Sequence, residues 1–61
     1  MIDIKKTLDA ANLSQYKLAQ WIDRPRQQVN VWYLGKHKPS GFAEEKLRQV
    51  FAEHGIEVIE D

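Results

Sequence analysis

The sequence predicts an all-α domain of four helices, and three observations support it. Apolar residues recur three and four positions apart in four separate stretches, the spacing that lines one face of a helix. Residues that start helices precede those stretches (Asp3, Ser14, Pro25, Ser40), and residues that end them follow (Asn12, Asp23, Gly35, Gly55). The β-branched alternation of a strand occurs only in the tail Ile56–Asp61, and imperfectly, so a short C-terminal strand is the one non-helical option. With 61 residues and no linker, repeat or low-complexity segment, residues 1–61 form a single domain.

Each element follows in order. Asp3 caps the first helix, whose inward stripe is Ile4, Leu8 and Ala11, and Asn12 ends it because Asn tolerates the left-handed backbone. Ser14 caps the second, with Leu13 and Leu18 at the two positions of a hydrophobic staple and Leu18, Ala19 and Ile22 facing inward. Asp23 makes a sharp turn. Pro25 biases Arg24 towards extended backbone, and its missing N–H suits it to the first position of the third helix. That helix, within residues 25–34, starts at Pro25 or Arg26 and runs to about Leu34, with Val29 and Trp32 beneath it and Gly35 at its end. Lys36, His37 and Lys38 form a basic loop, closed by Pro39. Ser40 caps the fourth helix, Gly41 to His54, which turns Ala43, Leu47, Val50 and Phe51 inward, with Phe42 near its start. Trp21 and Tyr33 lie off the main stripes and are expected at the edge of the core.

Composition narrows the function. Without cysteine there is no disulfide and no thiolate metal site, and a reducing cytoplasm suits the chain. No apolar run approaches the roughly 18 residues of a membrane span, and MIDIKK lacks the apolar core of a signal peptide, so no membrane association is expected. The formal net charge is zero, but its distribution is uneven. Residues 1–13 balance Lys5 and Lys6 against Asp3 and Asp9. Residues 14–40 hold Lys17, Arg24, Arg26, Lys36 and Lys38 against Asp23 alone, a balance of +4. Residues 41–61 hold Lys46 and Arg48 against Glu44, Glu45, Glu53, Glu57, Glu60 and Asp61, a balance of −4. The basic middle coincides with the pair of short helices, as in a nucleic-acid-binding surface. The outer face of the third helix there carries Arg26, Gln27, Gln28, Asn30 and Val31, side chains suited to base edges in a DNA groove.

The stretch Ser14–Ser40 resembles the helix-turn-helix of Cro-like and lambda-repressor-like regulators of phages and bacteria. The resemblance rests on SQYKLAQWI, then QQVNVW, then GKHKPS, spaced without gaps against the family pattern, and it covers 27 of the 61 residues. The chain departs from the pattern at the turn, where Asp23 replaces the usual glycine and Arg24 the usual apolar residue. The resemblance implies a compact four- to five-helix lambda-repressor-like domain, with its helix-turn-helix at 14–40 and a C-terminal helix and tail at 41–61. It implies sequence-specific binding of a double-stranded DNA operator as a Cro-type transcriptional repressor, with the recognition helix 25–34 in the major groove. Base contacts then fall to Arg26, Gln27, Gln28, Asn30 and Val31: Arg suits guanine, Gln adenine and Val31 a thymine methyl. Phosphate contacts fall to Gln15, Tyr16, Lys17, Arg24, Lys36, His37 and Lys38.

Such regulators act as pairs, so a homodimer is expected, at least on DNA. Its surface is placed at Phe51, Ile56, Val58 and Ile59, apolar groups with no evident partner in sequence, where a tail strand could pair across a two-fold axis. Two other readings stay open: an antitoxin or other autoregulator holding a protein partner on the acidic C-terminal surface, and an interaction module that has lost DNA binding. No cofactor is expected. Glu53, His54 and Glu57 straddle the end of the fourth helix and share no ligand face, so no metal is expected either. With two histidines, no cysteine and no glycine-rich phosphate loop, the chain is not expected to be an enzyme.

Overall fold

Four helices close around one core in the computed structural model, which describes residues 1–61. They are α1 (Ile4–Ala11), α2 (Gln15–Ile22), α3 (Arg26–Tyr33) and α4 (Phe42–Glu53). The shared core comprises Ile2, Ile4, Leu8, Leu18, Ala19, Ile22, Val29, Trp32, Leu47, Val50 and Phe51. α2 packs most closely on α3; α1 lies against α3, and α4 against α2. No helix is long and apolar enough to cross a membrane.

The helix starts follow the capping chemistry of their residues. Asp3 accepts a hydrogen bond from Lys6 N–H at 2.9 Å, and Ser14 Oγ accepts one from Lys17 N–H at 3.0 Å. Leu13 and Leu18 both pack into the core beside that second cap. Of the other two starts, α3 begins at Arg26, the later of its two expected positions, and α4 differs from expectation. Pro25 is the residue before α3 and not its first member, because a cap must be extended and Pro25 sits at φ −61°, ψ 142°. Gly41, and not Ser40, precedes α4. Its φ of 56° turns the chain into the helix one residue later, and Ser40 contributes its carbonyl, which accepts from Ala43 N–H at 3.1 Å. Phe42, the first residue of the helix, is 87% exposed.

All four helices end in the same way. Past each helix an amide reaches the carbonyl five residues earlier, two residues beyond the end in α1 and α2 and three in α3 and α4: Leu13 to Leu8, Arg24 to Ala19, Lys36 to Val31 and Ile56 to Phe51. This closure needs one left-handed residue per helix. Gly35 and Gly55 supply it freely, while Asn12 and Asp23 adopt it at φ 53° and 56°. Asp23→Gly is therefore expected to raise stability by about 0.5–1 kcal/mol, measured as a higher urea midpoint at unchanged slope. A lower midpoint would show that the Asp23 side chain stabilises the turn.

The expected inward stripe of α1 needs one correction. Ala11 is exposed at the helix end, and Thr7 takes its place, fully buried beside Ile4 and Leu8. The reason is tertiary, since the C-terminal tail covers this part of α1. Thr7 Oγ1 accepts from Ile59 N–H at 3.1 Å and faces Ile59 O at 3.4 Å. Asp3 N–H donates to Ile59 O at 2.8 Å, and Asp61 N–H to Met1 O at 3.0 Å. The tail is not a strand; it makes a single antiparallel bridge, Ile2 to Glu60, with the chain's own N-terminal segment.

That arrangement takes Phe51 out of the expected dimer surface. Phe51 is fully buried in the core, Ile56 and Val58 pack against it, and Ile59 is half-buried. The apolar groups that lacked a partner in sequence find one within their own domain. Ile56 is drawn in by the helix closure itself, which sets it beside Phe51.

Trp21 and Tyr33 sit at the core's edge, as expected. Trp21 stacks on His54 at 3.6 Å between ring centroids, joining the C-terminal ends of α2 and α4. Tyr33 donates to Asp9 at 2.8 Å, and Lys5 bonds the other carboxylate oxygen at 2.8 Å. The hydrogen bonds from Lys5 and then Tyr33 hold the Asp9 carboxyl below the usual aspartate value, and Asp9 in turn pushes the Tyr33 hydroxyl up. This group fixes the C-terminal end of α3 to α1.

Candidate nucleic-acid interface

α2, the turn Asp23–Pro25 and α3 together carry every expected base-reading residue. Val29 and Trp32 are buried beneath α3, so its opposite side is held outward by core packing. Arg26 and Gln27 are exposed, and Gln28, Asn30 and Val31 are half-buried. None of the first three turns inward, and the tail lies away from them, against α1 and the N-terminal segment.

The outward face is grooved. Ser14, Gln15 and Tyr16 from the start of α2 and Arg26, Gln27, Asn30 and Val31 from α3 line an open concavity of about 720 Å³. On the other flank of α3, Arg24 and Gln28 share a second one, about 420 Å³, with His37, Lys38 and Phe42. The helix start contributes to the first groove. Ser14 serves Lys17 N–H and Leu18 N–H, leaving the amides of Gln15 and Tyr16 without a partner in the domain. Those free donors and the positive dipole end suit an anion.

Ion pairing sharpens the charge asymmetry. Lys5, Lys38 and Arg48 are paired, with Asp9, with Asp61 and with Glu44 and Glu60 respectively. The Arg48 bond holds the Glu60 carboxyl below its usual range, helped by the N-terminal amine. Lys17, Arg24, Arg26 and Lys36 have no acidic partner, and Asp23 is the sole carboxylate in their part of the chain. The positive potential therefore gathers around α2 and α3, while the tail's acids neutralise charges elsewhere.

Hydrogen bonds refine the expected roles. Asn30 donates to Gln15 Oε1 at 2.9 Å, so Asn30 braces Gln15 across the groove and is not a free base reader. Tyr16 accepts from Gln20 at 3.0 Å, which leaves its own hydroxyl proton to donate outward. Arg24 bonds Gln28 Oε1 at 3.2 Å. Lys38, expected on phosphate, is held by Asp61. Lys17, Lys36 and His37 are exposed. Phe42 was not anticipated here.

No three His, Asp or Glu side chains gather where they could hold a metal ion. No family model, curated protein or solved structure matches the chain.

Proposed function

We propose that this protein is a Cro-type transcriptional repressor that binds duplex DNA through a helix-turn-helix formed by α2 and α3. One observation carries the reading: an arginine-and-amide face, rimmed by unpaired cations, is held outward by the buried Val29–Trp32 underside. α3 lies in the major groove, with Arg26 and Gln27 at base edges and Val31 one turn along, suited to a thymine methyl. The start of α2 takes a phosphate on its free amides, with Gln15 braced by Asn30 and Tyr16 alongside. Lys17, Lys36 and His37 contact flanking phosphates, and Lys38 joins them once phosphate displaces Asp61. Two copies read two half-sites about one helical turn apart.

Selection from random duplexes, followed by salt titration, tests this. Three lysines on three phosphates give a slope of about −2.7 in log K against log salt, or roughly a fortyfold loss per copy between about 50 and 200 mM. Arg26→Ala is expected to cost about 1–3 kcal/mol on the selected site and to relax preference at one base pair. Lys36→Ala weakens all duplexes alike and lowers the slope by about one. Binding that is absent at low salt, or equal in kind for both variants, would overturn the assignment.

A further inference from the structure

Resting on that DNA-binding reading, we propose that Arg24 and Gln28 form one recognition unit selective for guanine, in which Arg24 fixes the orientation of the Gln28 carboxamide. Gln28 is the third residue of α3. A glutamine there ordinarily folds back to the N–H of the capping residue, but the cap is Pro25, which has none. The carboxamide is thus left without its local partner and takes Arg24 Nη1 on Oε1 at 3.2 Å. Pro25 also supplies the geometry, because it holds the preceding Arg24 away from helical backbone and beside the first turn.

The orientation of the amide is not ambiguous. Arginine has only donors, so the oxygen of Gln28 must face it and the nitrogen must face away. A free glutamine pairs with adenine by accepting from N6 and donating to N7. Here the accepting atom lies beside a guanidinium, and an incoming adenine N6 amine meets a cationic row of donors. Guanine presents two acceptors, O6 and N7, which match the outward Nε2 and the remaining Arg24 donors. Read as free side chains, Gln28 suits adenine and Arg24 suits phosphate; their hydrogen bond alters both assignments.

Site selection from random duplexes, with wild type, Arg24→Met, Arg24→Lys and Gln28→Ala run in parallel, tests the pair. The informative base pair is the one whose preference disappears in Gln28→Ala. Wild type is expected to select guanine there, and Arg24→Met to shift the guanine-to-adenine ratio towards adenine by at least about tenfold, within what one side-chain–base pairing discriminates. Arg24→Lys keeps a donor beside Oε1 and retains guanine. Adenine selected by wild type, or guanine unaffected in Arg24→Met, overturns the unit while leaving DNA binding intact. No selected duplex for any of the proteins overturns both.

Discussion

Phe51→Ala is expected to leave the domain largely unfolded at 25 °C. Phe51 is fully buried where α4 meets the core, and Ile56 is closed over its carbonyl. Removing a buried phenyl ring costs about 3–5 kcal/mol in lost transfer energy and residual cavity. A domain of 61 residues holds only roughly 3–9 kcal/mol in total, at about 0.05–0.15 kcal/mol per residue. Loss of the far-UV helical signal, or a urea midpoint near zero, is the expected outcome. The same experiment decides the place of the residue. A destabilisation that disappears as protein concentration rises would put Phe51 in a subunit contact and contradict its burial within the monomer.

Thr7→Val has the next largest expected effect on the fold. The substitution keeps the shape of the side chain but deletes the hydroxyl that accepts from Ile59 N–H. That amide then lacks a partner in a partly buried position, at a cost of about 1–3 kcal/mol. For a domain of this size the midpoint of thermal unfolding falls by roughly 5–20 °C. Hydrogen exchange locates the loss. Protection at Ile59, Asp3 and Asp61 should fall together, because their amides form the tail's attachment, while α3 amides change only by the global amount. Thr7→Ser retains the hydroxyl and should restore most of the protection. Full protection of Ile59 in Thr7→Val would show that the tail is held by Ile56 and Val58 packing alone.

The two residues differ in how far the sequence reveals them. Phe51 belongs to a helical apolar stripe, so its inward direction is legible, and only an unexplained apolar tail drew it into a dimer surface. Thr7 is a polar residue on a short helix, and nothing local marks it as buried. Its partner lies 52 residues away. The face of α3 shows the same division. That Gln27 lies opposite Val29 and Trp32 follows from the helical period, whereas Gln28 stands one turn before Trp32, on its flank, and is half-buried. The pairing of Asn30 with Gln15 and the capture of Lys38 by Asp61 do not follow from that period, because each joins separate elements.

The sequence by itself determined the four helical stretches, their stops at Asn12, Asp23, Gly35 and Gly55, and the underside of Val29 and Trp32. These follow from backbone sterics, capping and periodicity, which act within a few residues. Tertiary structure alone decided that the tail closes on the chain's own N-terminus, that Thr7 is buried, and which cations remain unpaired. Those outcomes depend on which distant surfaces meet, and a hydrogen bond or ion pair between them leaves no local signature in either segment.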